Sequence, residues 1–227
     1  MPERVSHRGA HDGLPENSIP AFEKALELGA DAIELDVHAT SDGMVVVHHD
    51  PTVHRGRGIL RPHAAIADLT YSDLRKVVLA EGIGIPTLQD VLAAVGEGPR
   101  VYVEIKGKDI EALVVRCIRE SNANCAVHSF DHRIVQNVKK IFPAIRTGVL
   151  EVARHLDPLA ALVETGAEDL WQDWTLIDAE MVRRVHSGNC RVVAWTSNDP
   201  LEWKMLRSLG VDAICTDRIG ELAAFTW

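Results

Sequence analysis

Short runs rich in Val, Ile and Leu alternate along the chain with segments whose apolar residues recur at helical spacing. Such alternation is typical of a buried parallel sheet whose strands are joined by helices. Nine runs are predicted as strands: Arg4–Arg8, Ala32–Val37, Met44–His49, Val101–Lys106, Cys125–Phe130, Ile145–Leu150, Asp169–Trp174, Arg191–Thr196 and Asp212–Thr216. This is one strand too many for a closed eight-stranded α/β barrel.

The third run, Met44–His49, follows the second after a link too short for a parallel ring. Only His38–Gly43 lies between them, whereas a parallel crossover needs about a dozen residues or more. The Asp42-Gly43 step within that link is a hairpin turn signal. We therefore expect Met44–His49 to fold back antiparallel, which leaves an α/β fold with a single (β/α)₈ TIM barrel. The length of 227 residues suits such a barrel.

Apolar residues at helical spacing, together with end signals, predict helices between the strands. Ser18 can cap a helix that begins at Ile19, and Gly29 stands just after the end of that helix. The predicted helices are Ile19–Leu28, Thr87–Val95, Glu111–Glu120, Asp131–Ile141, Pro158–Glu164, Asp178–His186, Pro200–Leu209 and Ile219–Phe225.

The segment Asp50–Pro86 fits neither the strand nor the helix period and is long for a barrel connection. Connections longer than about 12–15 residues are usually functional lids or disordered. We interpret residues 50–86 as a small cap insertion beside the mouth of the barrel, within one domain that spans residues 1–227. Its polar and turn-forming residues are Arg55, Gly56, Arg57, Gly58, Arg61, Pro62 and His63.

The composition is that of an ordinary globular domain, with 46% apolar residues and a formal net charge of −9. This charge argues against nucleic acid as a partner, since nucleic-acid affinity rests on a basic face. It does not exclude a small anion, because a metal ion or a few local cations can override the net charge. The composition gives no indication of the oligomeric state.

The four cysteines are Cys117, Cys125, Cys190 and Cys215, and no two of them form a C-x-x-C pair. We interpret them as buried free thiols in a reducing compartment rather than as disulfides or zinc ligands. The first residues lack the pattern of a signal peptide, and no apolar run approaches the ~20 residues of a membrane span. We therefore expect a cytoplasmic protein without stable membrane association.

Polar side chains gather where four of the predicted strands end. Barrel active sites lie at the C-terminal ends of the strands, so these ends indicate the chemistry. They carry Ser6-His7-Arg8-Gly9, Glu34-Leu35-Asp36, His48-His49-Asp50 and Glu104-Ile105-Lys106. We therefore expect imidazoles, carboxylates and cations to meet in one place.

The carboxylates Glu34, Asp36 and Glu104 are expected to converge. Residues i and i+2 of a strand share a face, so Glu34 lies with Asp36, and Glu104 with Lys106. Buried carboxylates that repel one another are costly to ionise, and a hard divalent cation such as Mg²⁺ or Ca²⁺ resolves that conflict. The alternative is structural salt bridges with Arg8 and Lys106, but the combined pattern favours a metal site.

Two of the eleven histidines are candidates for proton transfer. His7 and His49 each close a strand-like run near the carboxylates, and an imidazole pKa near about 6.5 suits acid–base catalysis at neutral pH. Because His48 and His49 face opposite ways on an extended strand, only one of them should enter the site. His128 lies inside a strand and is interpreted as a core histidine.

Taken in order, these motifs resemble the glycerophosphodiester phosphodiesterase family, in its bacterial, cytoplasmic type, over essentially the whole chain. The resemblance is carried by His7-Arg8-Gly9, Pro15-Glu16-Asn17-Ser18, Glu34-Leu35-Asp36-Val37, Asp42-Gly43, Val46–Thr52, Val103-Glu104-Ile105-Lys106, Ser129-Phe130, Trp195-Thr196-Ser197-Asn198, Gly210-Val211-Asp212 and Thr216-Asp217-Arg218.

The resemblance implies a metal-binding barrel that hydrolyses glycerophosphodiesters to glycerol 3-phosphate and an alcohol. It implies that Glu34, Asp36 and Glu104 hold one divalent cation, for which Mg²⁺ is expected and Ca²⁺ is the alternative. The partner is then a small-molecule glycerophosphodiester.

The resemblance also implies roles for the remaining polar residues of the site. His7 and His49 would be the acid/base pair, and Arg8 and Lys106 would meet the phosphate. Trp195 is a further expected substrate contact. Which histidine is the acid stays open, as does whether water or the substrate's own glycerol hydroxyl attacks the phosphorus.

Two alternative functions stay open at this point. A lysophospholipase D acting on lipid-bearing diesters would be favoured by an apolar groove around Trp171, Trp174 and Trp195. A non-catalytic barrel that only binds phosphodiesters is the other alternative, and the complete set of carboxylates and histidines argues against it. After Thr52 the sequence departs from the family's usual Leu-x-Arg-Thr-Thr, which leaves the preferred alcohol undetermined.

Overall fold

The structure is a computed structural model that describes residues 1–54 and 63–227. In chain order its strands and helices are β1 (Glu3–His7), α1 (Ile19–Glu27), β2 (Ala32–Ala39), β3 (Val45–Val47), β4 (Thr52–His54), β5 (His63–Ala65), α2 (Tyr71–Leu74), β6 (Val78–Ala80), β7 (Ile83–Gly84), α3 (Leu88–Val95), β8 (Arg100–Ile105), α4 (Glu111–Arg119), β9 (Asn124–Ser129), α5 (His132–Ile141), β10 (Arg146–Glu151), α6 (Ala160–Thr165), β11 (Asp169–Asp173), α7 (Ala179–Ser187), β12 (Arg191–Trp195), α8 (Pro200–Leu209), β13 (Ala213–Thr216) and α9 (Ile219–Ala224). Short 3₁₀ helices cover Ile66–Asp68 and Trp174–Leu176.

Eight parallel strands close into a ring in the order β1, β2, β8, β9, β10, β11, β12 and β13. The ring closes because β1 pairs with β2 on one side and with β13 on the other. The predicted (β/α)₈ barrel is therefore confirmed. The predicted strands and helices all occur, with most ends displaced by one or two residues.

Strand β3 lies outside the ring, as the short link before it predicts. It pairs antiparallel with the end of β2, with Val47 opposite Val37 and Val45 opposite Ala39. It is shorter than the predicted Met44–His49, because the ladder ends at Val47. The next residue, His48, donates its backbone N–H to the carbonyl of Asp36 at 3.0 Å. The chain is thereby held against the C-terminal end of β2.

The segment Asp50–Pro86 contains more regular structure than its sequence pattern indicates. It forms the antiparallel pairs β4–β5 and β6–β7 and the one-turn helix α2. Strands of two or three residues are too short to display a period, which is why the pattern misses them. Of the seven residues singled out in the cap, His63 lies in β5. The other six, Arg55, Gly56, Arg57, Gly58, Arg61 and Pro62, lie outside the described residues.

This segment packs beside the C-terminal end of β2. The backbone N–H of Ser41 donates to the carbonyl of Leu69 at 2.8 Å, and that of Val47 donates to Pro86 at 2.9 Å. A small apolar cluster stabilises the arrangement, and its buried members are Val46, Val53, Ile66, Leu69, Leu74 and Ile85.

Side-chain caps explain why several helices begin where they do. Ser18 accepts from the N–H of Ala21 and caps α1, as predicted. Thr87 forms a capping box with Asp90, so α3 begins at Leu88 and Thr87 is its cap rather than its first residue. Ncap side chains satisfy backbone donors that have no partner inside the helix.

A polar network fills the interior of the barrel at the N-terminal ends of its strands. Packed aromatic side chains lie above that network. Glu3 Oε2 accepts from the Tyr102 hydroxyl at 2.8 Å and from Arg191 at 2.5 Å. The ring of Tyr102 then meets the edge of Trp171, with centroids 4.9 Å apart. Among the described residues, these contacts close the N-terminal end of the barrel.

None of the helices that the structure describes is long and apolar enough to cross a membrane. The four cysteines are unpaired. Cys117 and Cys215 are buried as expected, whereas Cys125 and Cys190 are only partly buried.

Candidate active site

A pocket of about 580 Å³ opens at the C-terminal ends of the barrel strands. Four strands of the ring and the segment after β3 supply its polar side chains. Its lining residues are His7, Arg8, Glu34, His49, Glu104, Lys106, His128, Phe130, Leu150, Trp171, Trp195 and Cys215. Seven of the eight residues singled out from the sequence as site residues are on this list.

The eighth, Asp36, is fully buried beside the pocket. Its Oδ2 accepts from Asn17 Nδ2 at 2.8 Å and lies 3.2 Å from Arg8 Nε. Its Oδ1 lies 3.5 Å from Lys106 Nζ. Burial alone would raise the pKa of Asp36, but Arg8, Asn17 and Lys106 outweigh that effect and lower it.

Glu34 and Glu104 respond in the opposite direction. Burial, followed by the charge of Asp36, raises the pKa of each carboxyl to about 7. Lys106 Nζ lies 3.3 Å from Glu104 Oε1, and its positive charge offsets only part of the rise in the pKa of Glu104. Three carboxylates therefore face one another with too little positive charge around them, the situation that a bound cation relieves.

Two further observations fit a cation at this cluster. Within the described part of the chain, Asp36 Oδ1 is a buried oxygen without a hydrogen-bond partner. Glu34, Glu104 and His128 each offer one ligand atom, and these atoms lie within 4.8 Å of one another. The donor set is dominated by carboxylate oxygen, which hard divalent cations prefer.

His128 belongs to the pocket, which the sequence interpretation as a core histidine missed. It is buried, and its ring stacks on Trp171 with centroids 4.2 Å apart and planes at 4°. Its Nε2 lies 3.7 Å from Glu34 Oε1. Burial lowers the pKa of His128 to about 4, so its ring is neutral at physiological pH. His128 is the paired residue of Glu104 on the neighbouring strand, and the sequence alone does not display that register.

His7, at the end of β1, uses its two ring nitrogens differently. Nδ1 lies 2.6 Å from Asp217 Oδ1, whereas Nε2 lies 4.0 Å from Glu34 Oε2. Burial opposes the charged form of His7, but Asp217 and Glu34 outweigh it and raise its pKa. Asp217 was not singled out from the sequence, although it lies in the motif Thr216-Asp217-Arg218.

His49 also has a carboxylate on Nδ1, since Asp50 Oδ1 lies 2.8 Å away. The carbonyl of His49 lies 3.1 Å from His38 Nε2, which helps to fix the segment after β3. His48 does not line the pocket. Burial lowers the pKa of His48.

The turn after β1 presents Arg8 to the pocket and requires glycine at the next position. Arg8 has a φ of +56° and Gly9 a φ of +84°. A Cβ atom on Gly9 would lie 2.8 Å from the backbone of Ala21 in α1. The side chain of Arg8 then reaches Glu16, with Nη1 3.1 Å from Oε1. Glu16 is therefore a further charged neighbour, which was not singled out from the sequence although it lies in the motif Pro15-Glu16-Asn17-Ser18.

Aromatic side chains form the apolar wall of the pocket. Trp195 and Phe130 meet edge to face, with centroids 5.4 Å apart. Trp171 is buried at the floor. Trp174, whose presence in an apolar groove with Trp171 and Trp195 would have favoured a lipid-bearing substrate, instead packs against the apolar cluster between the ring and the outer helices. Trp174 lies in that cluster rather than in the pocket because β11 ends at Asp173 and a 3₁₀ turn follows.

Comparison with known proteins gives a consistent result. Residues 7–221 match the model of the glycerophosphoryl diester phosphodiesterase family. The chain is 32% identical to a glycerophosphodiester phosphodiesterase from Caldanaerobacter subterraneus, over 94% of this chain and 93% of that protein. It is 27% identical to a human lysophospholipase D, over 99% of this chain and 86% of that protein.

The fold comparison agrees. A phosphodiesterase from Oleispira antarctica, solved in complex with the product sn-glycerol-3-phosphate, superposes with a TM-score of 0.89 at 21% identity. The superposition covers 98% of this chain and 95% of that one.

Proposed function

This chain belongs to the glycerophosphoryl diester phosphodiesterase family, and we propose that the pocket at the C-terminal ends of its strands carries the reaction. The protein is a metal-dependent phosphodiesterase that hydrolyses small-molecule glycerophosphodiesters to glycerol 3-phosphate and an alcohol. One observation carries the residue assignment. A buried cluster of three carboxylates lies at that pocket, and two histidine–carboxylate pairs converge on the same place.

We assign the cation site to Glu34, Asp36 and Glu104, with Mg²⁺ as the expected ion and Ca²⁺ as the alternative. All three are oxygen donors, and both ions take oxygen ligands. Support comes from Oδ1 of Asp36, a buried oxygen that accepts no hydrogen bond within the described residues, and from the raised pKa of both glutamates. The bound cation would supply Lewis-acid stabilisation of the phosphoryl oxygens.

His128 is proposed to be part of the pocket floor rather than a ligand. Histidines that bind a metal through one ring nitrogen almost always donate the other N–H to an acceptor. Among the residues that the structure describes, Nδ1 of His128 has no hydrogen-bond partner. Its flat stacking on Trp171 fits a role in shaping the floor.

Arg8 and Lys106 are proposed to bind the phosphoryl oxygens. Both line the pocket, and both lie against Asp36, so their charges are held beside the proposed cation site. Fixed positive charges at the point where negative charge develops stabilise the transition state more than the ground state. Trp195 is proposed as the neighbouring contact for the rest of the substrate.

His7 and His49 are proposed as the two proton-transfer residues. Each has a carboxylate on Nδ1, which leaves Nε2 free for the substrate. One ring would take a proton from the attacking hydroxyl, whether water or the glycerol hydroxyl of the substrate. The other would protonate the alkoxide that leaves. General acid–base groups typically contribute about 10²–10⁴-fold in rate.

Lipid-bearing diesters are a second candidate substrate class, favoured by the apolar wall. Phe130 is 44% exposed at the pocket beside Trp195. The chain is also similar to the human protein named a lysophospholipase D. A parallel assay with glycerophosphocholine and lysophosphatidylcholine ranks the two classes by kcat/KM, and a higher value for the lysolipid would favour the lipid-bearing class.

We propose that the protein is cytoplasmic. Unpaired thiols suit a reducing environment, and the four unpaired cysteines therefore support a cytoplasmic enzyme.

The assignment of the cation site can be tested by calorimetry and turnover together. After chelation, Mg²⁺ titration into the wild type should show one site and restore hydrolysis of glycerophosphocholine. Asp36→Asn and Glu34→Gln should each weaken Mg²⁺ binding at least about tenfold, since mutation of even an outer-shell partner of a metal site typically costs about 10–100-fold in metal affinity or activity.

His128→Gln is the matched control for that experiment, because it changes a neighbour of Glu34 and Glu104 without removing an acidic group. We expect its Mg²⁺ affinity to stay within a few-fold of the wild type. If His128→Gln loses the ion while Asp36→Asn retains it, the ligand set is Glu34, Glu104 and His128 instead.

A further inference from the structure

Asp217 is a partly buried residue in a hydrogen-bond network beside His7. It lies just after β13, whose strand is the neighbour of β1 in the ring, with Thr216 beside Ser6. This adjacency brings the carboxylate of Asp217 against the ring of His7, 2.6 Å from Nδ1. The other nitrogen of that ring, Nε2, is left on the side of Glu34.

The carboxylate of Asp217 is itself held in one orientation by Asn198. Asn198 Nδ2 donates to Asp217 Oδ2 at 2.7 Å. Asn198 Oδ1 accepts from the backbone N–H of Asp217 at 2.8 Å and from the hydroxyl of Thr216 at 2.9 Å. Two donors therefore fix which end of the Asn198 amide is the oxygen, and its NH₂ group must face Asp217.

The other histidine–carboxylate pair of the pocket is less constrained. Asp50 is the neighbour of His49 in sequence, and its side chain is 68% exposed, compared with 33% for Asp217. Asp217 also lies 3.4 Å from His11 Nε2. The geometry around His7 is thus set by contacts from several parts of the chain.

We infer that Asp217, clamped by Asn198, is the positioning residue that keeps the proton of His7 on Nδ1 and presents Nε2 to the reacting phosphodiester. This inference rests on the proposed role of His7 in proton transfer. In hydrolases with a histidine oriented by a carboxylate, replacing that carboxylate by its amide leaves the shape intact and favours the wrong tautomer.

The direction of the Asn198 amide makes the effect of Asp217→Asn unambiguous. The introduced amide must turn its oxygen to the NH₂ group of Asn198, because two NH₂ groups cannot bond to each other. Its own NH₂ group then faces His7 Nδ1 and needs an acceptor there. The proton of His7 moves to Nε2, and the ring can no longer accept a proton at the reaction centre.

The first test compares Asp217→Asn with Asp217→Ala. We expect Asp217→Asn to lower kcat on the order of 10²-fold with KM and melting temperature nearly unchanged. Asp217→Ala should be no worse in kcat, since it imposes no tautomer. A purely structural role predicts the reverse, with the conservative Asn variant milder than Ala in both kcat and melting temperature, and that order would overturn the inference.

A second substitution should reverse the defect. In the double variant Asp217→Asn with Asn198→Asp, the carboxylate at position 198 accepts from Thr216 and from the amide at position 217. That amide can then turn its oxygen to His7 Nδ1 and restore the original tautomer. We expect the double variant to recover at least about tenfold in kcat over Asp217→Asn, and no recovery would count against the inference.

Ring ¹⁵N spectra separate this inference from the proposed role of His7. In alkaline buffer, the wild type should carry the proton of His7 on Nδ1, and Asp217→Asn should carry it on Nε2. If the spectra change as expected but His7→Ala keeps full kcat, the positioning inference stands and the proposed catalytic role fails. If the tautomer is the same in both proteins, the positioning inference fails.

Asp212→Asn is the matched control. Asp212 also accepts a histidine contact, 2.9 Å from His186 Nε2, but it lies just before β13 at the opposite end of the ring. We expect Asp212→Asn to leave kcat within a few-fold of the wild type. In the His7→Ala background, Asp217→Asn should likewise have little further effect on kcat, because the ring it positions is gone.

Discussion

The charge of Asp36 links the cations of the pocket to its carboxylates. Arg8 and Lys106 lie beside it and keep it ionised, and its charge in turn raises the pKa of Glu34 and Glu104. The structural salt bridges and the metal site, considered as alternatives from the sequence, are therefore not exclusive. The same carboxylate takes part in the ion pairs and still has one buried oxygen free of hydrogen bonds within the described residues.

At the residue scale, we predict that His7 and His49 carry proton transfer and that His48 does not. His7→Ala and His49→Ala should each lower kcat by about 10²–10⁴-fold, since each removes a general acid or base. His48→Ala should leave kcat within a few-fold of the wild type, because His48 does not line the pocket. Steady-state kinetics with glycerophosphocholine, with melting temperatures as the control for folding, measure all three.

If His48→Ala inactivates the enzyme and His49→Ala does not, the turn after β3 presents the other ring to the substrate. The assignment of the His49–Asp50 pair would then be wrong, whereas that of His7 would be unaffected.

Local pattern explains which residues of the site could be predicted. Glu34 and Asp36 share a face because of the strand period, which a sequence displays. His128 belongs to the site because of the register of β9 against β8. Asp217 belongs to it because β13 pairs with β1 where the ring closes. Both are contacts between segments distant in sequence, so one chain without its fold does not reveal them.

At the element scale, strand length decides what the sequence reveals. The ring strands are buried on both faces, so each is a run of four to eight residues with a clear apolar pattern. Strands β4 to β7 have two or three residues and owe their order to the small cluster around Ile66 and Leu74. Tertiary packing of this kind overrides local preference and leaves no period to detect.

We predict that Gly148→Ala in β10 disturbs the pocket floor through the neighbouring strand β11. A Cβ atom there would lie 2.7 Å from Trp171 Cδ1 and 2.9 Å from its Nε1, so the indole must move. Overpacking of this kind costs about 1–3 kcal/mol. Because His128 stacks on Trp171, the displacement should also raise KM.

Gly98→Ala is the control for that substitution, since a Cβ atom at Gly98 has no neighbour within 4 Å. Thermal denaturation and steady-state kinetics of both variants measure the effect. Equal melting temperatures and KM values for the two variants would show that the floor accommodates the extra methyl group.

At the scale of the whole molecule, an acidic protein binds an anionic substrate. The formal net charge is −9, so long-range attraction does not favour a phosphodiester. Binding must rest on local charge at the pocket, which Arg8, Lys106 and the cation supply. The cation therefore contributes both to substrate binding and to the stability of the carboxylate cluster.

That dual role predicts a pH-dependent stabilisation by Mg²⁺. Folding raises the pKa of Glu34 and Glu104 to about 7. A carboxyl whose pKa is higher in the folded state destabilises the fold as pH rises from its unfolded pKa through its folded one. Without Mg²⁺, this contribution should therefore lower the melting temperature between about pH 5 and pH 8. Mg²⁺ competes with those two protons, so it should stabilise the fold strongly at about pH 8 and little near pH 5.

The expected size at high pH follows from linkage. Mg²⁺ at 100 times its Kd contributes about 2.7 kcal/mol, or roughly 5–10 °C in melting temperature for a chain of this length. Differential scanning calorimetry at both pH values, with and without chelator, measures the difference. Glu34→Gln with Glu104→Gln removes both titrating groups, so the double variant should lose the response to Mg²⁺ at either pH. A Mg²⁺ shift that is as large at pH 5 as at pH 8 would mean that the ion does not displace these protons, and that it binds elsewhere on the chain.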